Sequence, residues 1–140
     1  MPVTYATEPK YTSPIVNNKS YMMFLPAVIL VAGIAIVSLW EYPQVPHALS
    51  ANDKIMHGLM YALLAMSWMI PVRHHTTARV APYLYVWLSV TAYGALIELL
   101  QHYCTHSRSC ETADLYADAI GALIGIAITT ALLAKKENAA

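Results

Sequence analysis

Charge is scarce in this chain: Lys and Arg together number 8, Asp and Glu number 8, and charged residues make up 11% of 140, against 58% hydrophobic residues. That balance excludes an ordinary soluble domain, which needs more polar surface to face water. The formal net charge is +0, so the basic excess that advertises nucleic-acid binding is missing and no nucleic-acid partner is expected. No phosphate loop, nucleophile elbow or complete zinc signature occurs, and the motifs therefore name neither a reaction nor a cofactor. Internal repeats and low-complexity tracts are lacking too, as is the alternating pattern of barrel strands.

What the chain does have is long apolar runs. At about 20 residues per crossing of a roughly 30 Å hydrocarbon core, it has room for about four helices, and helices satisfy their own backbone in lipid. The expected fold is an all-α, polytopic membrane protein, a four-transmembrane-helix bundle. Residues 1–21, with Pro2, Pro9, Pro14, Asn17 and Asn18, read as a flexible polar tail. The transmembrane domain follows over 22–134, with spans of about 22–40, 55–72, 80–100 and 115–134, and 135–140 forms a second tail. Span one, "MMFLPAVILVAGIAIVSLW", has Pro26 near its start, where helices tolerate proline. A weakly basic leader and the absence of a small-residue cleavage pattern at Ser38, Leu39 and Trp40 make it an uncleaved anchor rather than a signal peptide. Pro43 and Pro46 punctuate the next linker, and Asn52 or Asp53 is placed to cap span two.

The basic residues set an orientation. Lys10, Lys19, Arg73, Arg79, Lys135 and Lys136 fall on one side and only Lys54 and Arg108 on the other. The positive-inside rule then puts both termini in the cytoplasm of a cell whose inner membrane holds the chain. On the opposite face, Asp53, Lys54, His57, Glu98, Gln101, Arg108, Glu111, Asp114 and Asp118 all fall at the ends of spans two to four or in the loop between the last two. Asp53, His57 and Tyr61 recur every fourth residue and share a helix face, as do Glu98 with Gln101 and Asp114 with Asp118. Ionisable groups at the edge of a bilayer are costly unless they pair or line a cavity. A single one is often only a helix cap at the headgroup level, but this many on one side point to an extracytoplasmic ligand-binding cluster.

These blocks carry a resemblance. "DKIMHGLMY", then "ELLQ", then "RSCETADLYADAIGALIG" resemble the VanZ-like family of small integral membrane proteins. The likeness runs over Asp53 to Gly125, with Asp53, Lys54, His57, Tyr61, Glu98, Gln101, Arg108, Asp114, Gly121 and Gly125 matching the family pattern. Asp118 departs from it, standing where the family usually has Asn, and the outer loop is slightly longer and holds two cysteines. The resemblance implies a cell-envelope protein, associated in some relatives with resistance to glycopeptide antibiotics, chiefly teicoplanin. It implies no established reaction.

Counting Asp53, Glu98, Glu111, Asp114 and Asp118 against Lys54 and Arg108 leaves the cluster net negative. A bare phosphate is repelled there unless Lys54 and Arg108, a divalent cation or protonated carboxylates receive it, whereas a cationic amine fits directly. Lipid-linked precursors, amine-bearing lipid headgroups and glycopeptides all present suitable chemistry. Three readings compete: an envelope-facing binding protein, which is preferred, an enzyme on a lipid-linked substrate with His57 carrying a proton and Glu98 or Asp114 as partner, and an accessory subunit that packs in a larger membrane complex. Glu98, His102 and His106 share a helical spacing that weakly suggests zinc, but interfacial histidines are the plainer reading, and no metal or other cofactor is expected. Arg108 is expected to pair with Asp114 or Glu98. Ala113, Ala117, Gly121, Gly125 and Thr129 form a stripe of small residues, which packs span four on span two or three, homodimerisation being the alternative. Cys104 and Cys110 fall in a loop placed outside the cytoplasm, where a disulfide can persist.

Overall fold

A computed structural model describes residues 18–40, 50–76, 78, 80–104 and 112–139. The helices are α1 (Asn18–Met22), α2 (Leu25–Leu39), α3 (Ser50–His75), α4 (Ala81–Cys104) and α5 (Thr112–Glu137), with no strand among the described residues. The short turn between α1 and α2 stands just before Pro26, which has no N–H to continue a helix and fits instead in the first turn of α2. The Phe24 amide donates to the Tyr21 carbonyl across it at 3.0 Å, so the chain keeps its course and Ser20–Leu39 acts as one 20-residue crossing.

Each of the later helices overruns the apolar segment that predicts it. Charge of the right sign at the ends explains the excess: Asp53 lies in the first turn of α3 and Asp114 in that of α5, while Arg73, His74 and His75 end α3 and Lys135 and Lys136 end α5, each favourable with the helix dipole. Because α3 begins at Ser50, neither Asn52 nor Asp53 is its cap. Helical structure likewise begins at Asn18, within the segment expected to be tail, and α5 continues past residue 134.

Among the described residues, four helical segments are long and apolar enough to cross a membrane. Their outer faces are apolar: Val28, Ile36, Leu59, Leu88, Leu99 and Ile124 all stand exposed. Water would make such a surface an aggregation site, whereas lipid makes it an ordinary exterior. The chain is an all-α membrane protein. Trp40, Tyr103 and Tyr116, at the ends of α2 and α4 and the start of α5, are also exposed, the pattern of an aromatic belt at the membrane–water boundary.

Successive long helices run antiparallel, so the C-terminal ends of α2 and α4 meet the N-terminal ends of α3 and α5. The closest pair is α3 with α5; α4 lies against both, and α2 against α3 and α4. Small residues make the α3–α5 approach possible. A Cβ on Gly121 would lie 2.8 Å from the Gly58 Cα, and one on Gly125 3.0 Å from the Ala62 Cα, so two four-residue small-residue steps interlock. Deeper in the bundle, Tyr61, Leu64, Ala65 and Met69 of α3 pack with Val86, Val90, Ala122 and Ile126. Two polar contacts pin α2 to α4: the Tyr93 hydroxyl donates to the Val31 carbonyl at 2.6 Å and the Gln101 amide to the Ser38 carbonyl at 2.9 Å. The second uses a carbonyl in the last turn of α2, where intrahelical donors run out.

Candidate functional site

At this end of the bundle, three helices deliver polar side chains to one place. His57 of α3 and Asp118 of α5 form a buried pair, Nδ1 to Oδ1 at 3.1 Å, with side chains 4% and 1% exposed. One turn nearer the boundary, Lys54 Nζ lies 3.2 Å from Asp114 Oδ1, with side chains 36% and 10% exposed. Both pairs stitch α3 to α5, and their turn-by-turn order follows from two helices that run parallel, as alternate helices of an up-and-down bundle do, with polar residues repeating every three or four positions. The outer pair reaches solvent and is screened there; the inner pair is held in a low-dielectric setting, where losing either member leaves the other stranded.

Glu98 of α4 completes the inner level. It is 3% exposed, and ligand atoms of His57, Glu98 and Asp118 all lie within 4.8 Å of one another. Asp53, His57 and Asp114 form a second such group, with Asp53 exposed at its rim. Tyr61, one turn below His57, is fully buried; its ring lies nearly parallel to the imidazole at 6.3 Å, and its hydroxyl has no hydrogen-bond partner among the described residues. The same holds for the Asp118 Oδ2 atom.

Gly94 gives Asp118 its space. A Cβ there would stand 2.5 Å from Asp118 Oδ2 and 3.1 Å from Tyr61 Cε1, so only a residue without a side chain lets α4 approach the carboxylate and the phenol together. Gly94, and Gly58 as the seat of Gly121, are functional positions absent from the sequence-predicted set. The available signals were the spacing of Gly94 with Glu98 and Gln101 on one face of α4, and the Gly58–Ala62 step that mirrors Gly121–Gly125.

Of the residues singled out in the sequence, Asp53, Lys54, His57, Tyr61, Glu98, Asp114 and Asp118 are brought to this end. Gln101 arrives there too, buried, but its amide nitrogen turns to the Ser38 carbonyl and clamps α2. Asp114 has Lys54 as a cation; Arg108, expected to pair with Asp114 or Glu98, lies with Glu111, His106 and Cys110 outside the described residues. Cys104 is exposed at the end of α4. His102 is exposed, edge-on to Tyr103 at 5.1 Å, whereas Glu98 points into the bundle. These two therefore do not share a coordination space, and Glu98 groups instead with His57 and Asp118.

Chemically, the arrangement offers a partly exposed rim of carboxylates around one lysine, above a buried imidazole–carboxylate centre. The VanZ/LLP1 family model matches residues 6–133. No curated protein and no solved structure matches the chain.

Proposed function

The chain belongs to the VanZ/LLP1 family, and from that premise we propose that it is a cell-envelope binding protein whose polar end captures an amine-bearing ligand of the outer membrane surface. One observation carries the reading: Lys54, His57, Glu98, Asp114 and Asp118 come from three different helices to one end of the bundle, where a set of independent helix caps would have no reason to converge. The carboxylates outnumber the cations at this level, so an ammonium group is attracted at the rim by Asp53 and by Asp114, which it would share with Lys54, and Lys54 supplies the positive charge for a neighbouring phosphate or carboxylate of the same ligand. A lipid-linked precursor, an aminolipid headgroup and a glycopeptide share that mixed charge.

The positive-inside distribution supports placing both termini in the cytoplasm and the polar end outside, on the face where such ligands reside. A protein that retains glycopeptide or its lipid-linked target there would alter exposure to teicoplanin-like antibiotics. Native mass spectrometry of the protein extracted with its own lipids tests the reading. A discrete retained species bearing an amine, lost in the Asp53→Asn, Asp114→Asn double variant, is expected. Only heterogeneous bulk lipid, unchanged by that variant, would refute it.

A further inference from the structure

The inner level of the site has a composition that the amine-binding rim does not require. His57, Glu98 and Asp118 are 3%, 3% and 0% exposed, one from each of α3, α4 and α5. An amine needs carboxylates but not an imidazole wedged between them. Three atoms mutually within 4.8 Å share a centre no more than about 2.8 Å from each, so movements of about 0.7 Å bring all three to the roughly 2.1 Å of zinc–nitrogen and zinc–oxygen bonds. The 3.1 Å between His57 Nδ1 and Asp118 Oδ1 is itself close to the about 3.3 Å that separates two ligands of one tetrahedral Zn2+.

From this geometry we infer that His57, Glu98 and Asp118 form a site for one divalent transition-metal ion, with Zn2+ and Mn2+ the best-matched species. An imidazole with two carboxylates is a mixed nitrogen and oxygen set, which suits these ions better than Mg2+ or Ca2+, whose sites are built from oxygen alone. A separate observation points to a ligand in the same space. The fully buried Tyr61 hydroxyl has no hydrogen-bond partner among the described residues, nor does Asp118 Oδ2, and Tyr61 and that oxygen meet beside Gly94. Helical side chains lean toward the N-terminus of their helix, which carries the Tyr61 ring back toward His57. Three protein ligands leave a fourth position open on zinc, and a water held there would give the tyrosine hydroxyl its partner. The outer group of Asp53, His57 and Asp114 is the weaker alternative, since Asp53 is exposed and Asp114 is engaged by Lys54.

The inference stands apart from the amine-binding reading, because it concerns the deeper level and is tested with metal alone. The full-length protein is purified in detergent, stripped with a chelator and titrated with ZnCl2 and MnCl2 by calorimetry, with bound metal counted by elemental analysis. One ion per chain is expected in the wild type, with thermal stability raised by metal. Glu98→Gln and Asp118→Asn should each weaken binding at least about 100-fold, beyond the usual effect of losing an outer-shell partner. Both replacements keep side-chain shape, and metal-free melting of each variant reports whether it is folded. Asp53→Asn should bind as the wild type does. Failure of the wild type to bind a stoichiometric ion would overturn the inference. So would binding that survives Glu98→Gln and Asp118→Asn but disappears with Asp53→Asn, since that result assigns the ion to the rim.

Discussion

At the residue scale, the two polar side-chain pairs that join α3 to α5 differ in what surrounds them, and their substitutions should differ accordingly. His57→Ala leaves the Asp118 carboxylate buried without its imidazole, a loss that typically costs about 3–5 kcal/mol. Lys54→Ala removes a partly exposed partner and should cost only about 0–1 kcal/mol. Denaturant unfolding of both variants in detergent measures the contrast; equal costs would mean that the inner pair is open to water. Gly94→Ala belongs to the same scale. The added methyl group meets Asp118 Oδ2 and the Tyr61 ring, so an overpacking cost of about 1–3 kcal/mol is expected, and an unchanged melting point would contradict the close approach of α4.

The members of the cluster were readable at this scale because they are ionisable residues in an apolar chain, spaced to share helix faces. What each one does was not. Glu98 and Gln101 sit on the same face of α4, yet one enters the His57–Asp118 centre and the other holds the end of α2. The rotation of α4 between its neighbours decides that split, and rotation is set by packing partners that lie far away in sequence.

At the scale of elements, the number of spans and their order follow from apolar runs of membrane length. Boundaries shift outward because helices continue into the polar boundary zone wherever terminal charges suit their dipoles, as in α3 and α5. Small-residue spacing shows that α5 has a helix-packing face, while the choice of α3 as its partner depends on the matching Gly58–Ala62 step. Gly33 on α2 supplies an internal control, since a Cβ there meets nothing within 4 Å. Gly33→Ala should be neutral or stabilise by up to about 1 kcal/mol through helix propensity. Gly121→Ala should instead destabilise, because its methyl group would press into the Gly58 backbone. Thermal melts in detergent compare the two, and a Gly121 variant as stable as the Gly33 variant would rule out the tight α3–α5 crossing.

For the whole molecule, an up-and-down bundle brings the N-terminal ends of α3 and α5 to one side and their C-terminal ends to the other. Cysteines introduced at Ala48 and Ser107 should react with a membrane-impermeant maleimide added to intact cells, while one at Ala78 should react only after permeabilisation. The reverse pattern would invert the orientation and move the polar end into the cytoplasm.

Whether that end holds a ligand is tested most directly by photocrosslinking in living cells. A photoreactive amino acid replaces Asp53 at the rim in one variant and the lipid-facing Leu59 in another, and adducts are read as intact masses after irradiation. A discrete adduct from position 53 that fades when Asp114→Asn is added is expected, with a broad spread of membrane lipids from position 59. The same lipid spread from both positions, indifferent to Asp114, would contradict a ligand held at that end.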